Sequence, residues 1–240
     1  GLSPAGAGAV ESWDRSIELL RAERAAARAP VKVQVPAEVS VSGWLAQARD
    51  ADAEALRRAR PLPQPVSPGA AVGERFHEWV AARQDQLSMW DADDLIDTAD
   101  HLPEPGWDKG RQHVLQAALA ASPFGSVAPI AVEHEVWLPL GGRVVRGRID
   151  AVLPQGEEHW VVDWKTGASG SADPLQLAVY RLGWARQQGI DPERVVGCFV
   201  YLAQRRFEVF RGLPDEAGLQ RIASGAKVAV TPTTVSSWEV

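Results

Sequence analysis

The chain has 240 residues, which allows one large domain or one and a half small ones, and a hydrophobic fraction of 45%, which is ample for a core. Its formal net charge of −6 at pH 7 argues against a general nucleic-acid binder. No run of 18 apolar residues predicts a membrane span, and no signal-peptide pattern opens the chain. The single cysteine, Cys198, predicts a buried thiol in a reducing cytoplasm and excludes a cysteine-ligated iron–sulfur cluster within the chain.

The first 68 residues are predicted to be a helical connector that ends in a stiff linker. An alanine-rich sequence with apolar residues at helical spacing indicates a helix over residues 10–29. Its apolar face is narrow, so we expect this helix to pack on a neighbouring domain or to join two domains. A further helix is expected over residues 40–60, and four prolines within residues 61–68 predict the linker.

Residues 69–240 are predicted to form the main domain, which begins with helices. An apolar stripe that includes Phe76 predicts a helix over residues 71–90. The acidic stretch over residues 91–108 predicts a solvated loop or a short helix. Another short helix is expected over residues 109–121.

A region rich in β-strands follows. Apolar residues that alternate with polar ones on both sides of a glycine pair at 141–142 predict a hairpin. Asp173-Pro174 predicts a capped helix start, and Gly189 predicts the end of that helix. A helix at this place permits a right-handed crossover between parallel strands. The sequence therefore predicts an α/β fold with a central mixed sheet flanked by helices, its strands covering residues 130–140, 144–152, 160–164, 195–202 and 207–211.

Two carboxylates and a lysine lie near the ends of two of these strands. A pair of valines predicts a buried strand on which Asp163 and Lys165 share one side, while Trp164 points to the other. The preceding strand carries Asp150. Carboxylate oxygens suit Mg²⁺ or Mn²⁺, and a buried carboxylate without a partner is costly. Asp150 and Asp163 are therefore predicted metal ligands, and Lys165 would hold a phosphate oxygen or orient an attacking water.

Four short motifs occur in a fixed order along the main domain. They are Gly73-x-x-x-His77, Gly147-Arg148-Ile149-Asp150, Val162-Asp163-Trp164-Lys165-Thr166-Gly167 and Gln176-x-x-x-Tyr180. Together they resemble the RecB-type branch of the PD-(D/E)XK nucleases. The surrounding sequence is similar to the C-terminal nuclease domain of actinobacterial helicase-nucleases of the AdnB type. The resemblance implies a restriction-endonuclease-like core for residues 69–240.

The resemblance also implies roles that the residues alone leave open. His77 lies at the border of an apolar face and reads as a core or surface histidine, whereas the resemblance implies a metal ligand, helped by the backbone carbonyl of Trp164. Gln176 and Tyr180 share a helix face and could simply pack in the core. The resemblance implies instead that they flank a catalytic site formed by Asp150, Asp163 and Lys165, where they contact DNA or order the lysine.

Charged and aromatic residues near these motifs are open to two interpretations. Arg146 and Arg148 either contact phosphate or pair with acids on a wet strand face. Glu133 and Glu135 share one strand face, expected to be exposed, where a third metal carboxylate is the less favoured interpretation. Ten tryptophans suggest base stacking, but most fall on apolar stripes, which favours core packing.

We therefore expect a Mg²⁺- or Mn²⁺-dependent deoxyribonuclease that cuts mainly single-stranded DNA without sequence specificity. Residues 140–211 hold ten bases and eight acids, so the part that bears three of the four motifs is mildly basic. The resemblance implies a UvrD-like helicase motor in the same parent chain, a partner helicase-nuclease subunit and a role in double-strand-break processing in the bacterial cytoplasm. The alternatives are a nuclease-like module that has lost catalysis and only binds or steers DNA, and a free-standing exonuclease of the same fold.

Overall fold

The computed structural model describes residues 4–28, 33–62, 68–89, 109–167 and 172–239. The acidic stretch over residues 91–108 and most of the proline-rich linker lie outside the described residues, so the predictions made for them are not tested. In the helices that are described, no segment combines the length and the apolar character that crossing a membrane requires.

Seven helices and seven strands account for most of the described chain. The helices are α1 (Pro4–Arg28), α2 (Val41–Arg49), α3 (Ala51–Ala59), α4 (Pro68–Met89), α5 (Lys109–Ala120), α6 (Pro174–Gln188) and α7 (Glu216–Ala223). The strands are β1 (Glu38–Ser40), β2 (Ala131–Leu140), β3 (Arg143–Gln155), β4 (Glu158–Lys165), β5 (Val195–Tyr201), β6 (Arg206–Phe210) and β7 (Thr234–Ser237).

All seven strands join one mixed sheet. Its order is β1-β3-β4-β5-β6-β7, with β2 paired to β3 outside this path. The β1–β3 and β4–β5 pairs are parallel and the other pairs are antiparallel. The connection from β4 to β5 passes through α6, which is the crossover that the sequence predicted. The predicted mixed α/β fold is confirmed.

Helices cover both faces of the sheet and create two separate cores. On one face α2, α6 and α7 pack on the strands, as shown by Trp44, Leu177 and Leu219, which are all buried. On the other face α4 and α5 contribute Phe76 and Leu115, together with other buried residues. The predicted buried thiol, Cys198, lies within this second core.

The ends of α6 follow the predicted chemistry. The Asp173 carboxylate accepts a hydrogen bond from the Leu175 N–H at 3.0 Å, and Pro174 occupies the first helical position. Gly189 ends the helix with a left-handed backbone (φ 66°), which glycine adopts without steric cost. These local signals fix where α6 begins relative to β4, and α6 carries two of the predicted site residues.

Part of the predicted connector of residues 1–68 packs against the sheet. Strand β1 pairs with β3, and Val39 of β1 and Trp44 of α2 lie in the same core as α6. Residues 38–49 therefore belong to the folded domain. The predicted helix over residues 40–60 is also divided, because Asp50 has an extended backbone and its carboxylate caps α3 by accepting from the Ala53 N–H at 2.9 Å.

Candidate active site

The central sheet forks at strand β3. One edge of β3 pairs along its length with β2, while the other edge is shared by β1, which pairs with residues 144–146, and β4, which pairs with residues 151–155. The four residues between these two pairings, 147–150, form the fork. A cleft of about 940 Å³ opens there, lined by residues of β1, α2, α4, β2, β3 and α6.

At the fork, the side chains of strands β2 and β3 change the face of the sheet to which they point. Ile149 and Val152 pack in the same core although strict alternation would place residues three apart on opposite faces. The register with β2 stays constant across this shift, so Glu133 lies opposite Asp150. Glu133 has a left-handed backbone (φ 48°), which is uncommon for a residue with a side chain and often marks a functional site.

A histidine and two carboxylates converge at the fork. Nδ1 of His77, from α4, lies 3.4 Å from Asp150 Oδ1 and 3.5 Å from Glu133 Oε1. One ligand atom from each of these three residues falls within 4.8 Å of the others. The neighbouring carboxylates raise the pKa of His77, which outweighs the opposing effect of its burial.

The electrostatics of Asp150 favour a nearby positive charge. Burial, reinforced by the charge of Asp163, raises the pKa of Asp150 to about 8. One of its oxygens accepts a hydrogen bond from the Trp164 N–H at 2.7 Å, which fixes the carboxylate beyond the point where the β3–β4 pairing ends. The Trp164 indole packs on the opposite face of the sheet, as the alternation predicted.

A second group of side chains adjoins this cluster on the α6 side. Lys165 Nζ lies 2.5 Å from Asp163 Oδ2 and 3.5 Å from Gln176 Oε1. The Gln176 amide donates hydrogen bonds of 2.9 Å to both Asp163 Oδ1 and Tyr180 Oη. Gln176 therefore connects the strand that bears the lysine to Tyr180 on the next helical turn.

Two motif glycines allow these elements to approach closely. A Cβ on Gly147 would lie 2.5 Å from the Tyr180 ring, so glycine makes room for this tyrosine beside the fork. A Cβ on Gly73 would lie 2.9 Å from the Thr166 hydroxyl, so glycine lets α4 pack against the segment that follows β4. The absence of a side chain at these two glycines helps to bring the two groups of side chains together.

The residues present fit a divalent cation. The cluster offers two carboxylates and an imidazole, and oxygen-rich sets of this kind suit Mg²⁺ or Mn²⁺. Asp163 Oδ2 is buried, and among the described residues none donates to it with hydrogen-bond geometry, although Lys165 approaches it as an ion pair. A buried carboxylate oxygen that accepts no hydrogen bond is stabilised by a nearby cation.

The two predicted phosphate-binding arginines lie on the rim of the cleft and pair with acids. Arg148 Nε lies 3.2 Å from Glu133 Oε2. Arg146 lies between Glu38, at 3.1 Å, and Glu135, at 3.6 Å. The structure thus places both arginines beside the cluster and shows the acid pairing that was the alternative to phosphate contact.

Glu133 is the residue that the sequence interpretation undervalued. It was expected on an exposed strand face, but it is half-buried and contacts both His77 and Arg148. Of the other predicted site residues, His77 and Asp150 lie in this cluster and Trp164 reaches it through its backbone N–H. The adjoining group consists of Asp163, Lys165, Gln176 and Tyr180.

Replacing Glu133 with glutamine should weaken Mn²⁺ binding by at least about tenfold, because the amide keeps the size of the side chain but removes one of the charges that face the cation. Isothermal titration calorimetry measures this affinity without any substrate. Glu135→Gln is the matched control, since Glu135 lies two residues away on the same strand and pairs with Arg146. Equal affinities for both variants would exclude Glu133 as a ligand.

Comparison with known proteins identifies a family that the sequence matches. A family model described as the PD-(D/E)XK nuclease superfamily matches residues 48–232. Six chains of solved structures match, among them one titled "Crystal structure of SSO0001", which is 14% identical with a TM-score of 0.41 over 80% of this chain and 76% of that chain. No curated protein gives a significant match.

Proposed function

The chain belongs to the PD-(D/E)XK nuclease superfamily, and we propose that it is a Mg²⁺- or Mn²⁺-dependent deoxyribonuclease that hydrolyses phosphodiester bonds of mainly single-stranded DNA. The observation that carries the proposal is the convergence of His77, Glu133 and Asp150 within 4.8 Å, beside a buried aspartate and a lysine. A constellation of this kind is what metal-assisted phosphodiester hydrolysis needs.

His77, Glu133, Asp150 and Asp163 would hold the cation, with the backbone of Trp164 close to Asp150. When bound, a divalent cation supplies Lewis acidity, which makes a water more acidic and stabilises charge on the phosphate. The chain's own contribution is to fix the ligands before substrate arrives. Asp150 is held by the Trp164 N–H and Asp163 by the Gln176 amide.

Lys165 is the group that would act on the substrate directly. Its ammonium is aligned by the Asp163 carboxylate and the Gln176 carbonyl, so it can orient a water or offset negative charge as it develops on the phosphate. Gln176 and Tyr180 would act by positioning the lysine and by contacting the DNA backbone. Arg146 and Arg148 would meet phosphates that enter along the rim of the cleft.

We also propose that this domain works beside a UvrD-like helicase motor, with a partner helicase-nuclease subunit, in double-strand-break processing in the bacterial cytoplasm. Helix α1 favours the proposal of a neighbouring domain or subunit, because its apolar side chains Trp13 and Leu20 are 68% and 63% exposed. A motor that delivers unwound strands explains why cutting would not depend on sequence.

The direct test is incubation of the chain with an end-labelled single-stranded oligonucleotide in Mn²⁺. We expect fragments that appear with Mn²⁺ and Mg²⁺ and disappear with EDTA, and slower cutting of a blunt duplex of the same sequence. Intact DNA after long incubation, together with measurable DNA binding, would favour the alternative of a module that has lost catalysis.

A further inference from the structure

Within the described part of the chain, one face of the β2–β3 hairpin is covered by neither core. Residues 136, 138 and 140 of β2 and 145 and 149 of β3 point into the core beneath α6. The residues between them point the other way, on the side of the sheet where Glu133 meets His77. This open face leads from the glycine turn at 141–142 directly to the fork.

An aromatic side chain stands on this open face. Trp137 is 44% exposed and lies opposite Arg146 in the strand register. Among the tryptophans whose surroundings the structure describes, Trp137 and Trp13 are exposed, and Trp13 lies on α1, outside the sheet. The others are buried or half-buried, as the preference for core packing predicted. An exposed indole beside the cleft therefore calls for an explanation other than packing.

We propose that Trp137 is a base-stacking platform for single-stranded DNA on its way to the fork, with Arg146 and Arg148 holding the phosphates of the same strand. The proposal rests on the proposed nuclease function and names the path of its substrate. Stacking on an aromatic ring tolerates any base, because every base has a flat face, so the platform suits a site that does not read sequence.

Arg146 on this face is free to exchange partners. Arg146 is 49% exposed, and its partners Glu38 and Glu135 are 61% and 60% exposed. Ion pairs with so much access to water contribute little to stability. A phosphate can therefore replace a glutamate at small cost, and the fork-shaped guanidinium suits phosphate oxygens.

The spacing along the strand places the platform within reach of the metal cluster. Trp137 follows Glu133 by four residues, which corresponds to about 14 Å of strand. A stacked single strand advances roughly 3.4 Å per nucleotide, and an unstacked strand advances further. A base on Trp137 would thus lie no more than about four nucleotides from the phosphate at the cluster, with Arg146 beside Trp137 and Arg148 between Trp137 and the cluster.

The test measures DNA binding apart from cleavage, by fluorescence anisotropy of labelled oligothymidylates in EDTA at low salt. We expect Trp137→Ala to raise the Kd of an eight-nucleotide strand by at least about fivefold, and Trp137→Phe to retain most of the affinity. A dinucleotide is too short to reach from Trp137 to the metal cluster, so its Kd should differ less between the parent and Trp137→Ala. A blunt duplex, whose base faces are already stacked, should bind both equally.

Trp13→Ala is the matched control, because it removes an exposed tryptophan far along the sequence from the hairpin. The platform is overturned if Trp137→Ala binds the eight-nucleotide strand as tightly as the parent does, if Trp13→Ala weakens binding to the same extent, or if the parent binds no oligonucleotide. A parent that binds through Trp137 but cuts nothing in Mn²⁺ would leave the platform standing and refute the nuclease function instead.

Discussion

Replacing Asp150 with asparagine is expected to slow cleavage of single-stranded DNA in Mn²⁺ by roughly a thousandfold or more. Asparagine keeps the size of the side chain, and its carbonyl can still accept the hydrogen bond from the Trp164 N–H. It lacks the negative charge that, with His77 and Glu133, would hold the cation. Initial rates on an end-labelled oligonucleotide measure the loss, and Asp14→Asn, on exposed α1, serves as the control.

The same substitution should not destabilise the fold, which separates loss of catalysis from unfolding. Burial and the charge of Asp163 raise the pKa of Asp150 from 3.8 to about 8. The folded chain therefore holds a proton that the unfolded chain releases, so this group makes the fold less stable as pH rises between those two values. Asparagine removes that penalty.

In EDTA, the melting temperature of Asp150→Asn should equal or exceed that of the parent, by a margin that grows from pH 5 to pH 8. A lower melting temperature for the variant would mean that Asp150 supports the fold, and that the slower cleavage reflects damage to the structure. Natural active sites often keep such costly charges because function requires them.

Local signals were enough to predict most of the sheet and its helices. The Asp cap, the proline and the final glycine of α6 act within a few residues of one another, and so do the glycine turn and alternation of the β2–β3 hairpin. Strand β1 was missed because it has three residues and pairs with β3 more than a hundred residues later. No local pattern reports a contact of that kind.

The candidate site was predictable as a set of residue types, but its geometry was not. Alternation along β4 correctly placed Asp163 and Trp164 on opposite faces. The expected exposure of Glu133 was wrong, because the side chain packs against His77, at a residue whose backbone is left-handed although it is not glycine. The sequence offers no signal for such a backbone, so the carboxylate that completes the cluster was assigned to an exposed face.

Replacing Lys165 with methionine is expected to slow cleavage about a hundredfold or more while leaving Mn²⁺ affinity undiminished. Methionine keeps an unbranched side chain as far as Cε but lacks the ammonium, which lies 5.1 Å from the centroid of the Phe199 ring. It removes the positive charge beside Asp163, and a carboxylate freed from an ion pair attracts a cation at least as strongly. Calorimetry of Mn²⁺ binding and initial cleavage rates, measured on the same preparation, test the two halves of the prediction.

The direction of the two effects identifies the role of Lys165. A catalytic lysine lowers the barrier without holding the metal, so the rate should fall alone, and Lys227→Met, on the exposed segment after α7, should change neither quantity. Loss of Mn²⁺ affinity together with the rate would mean that the lysine shapes the ligand set. An unchanged rate would reduce the Lys165–Asp163 contact to an ion pair that merely neutralises a buried acid, and it would move the chemistry away from β4.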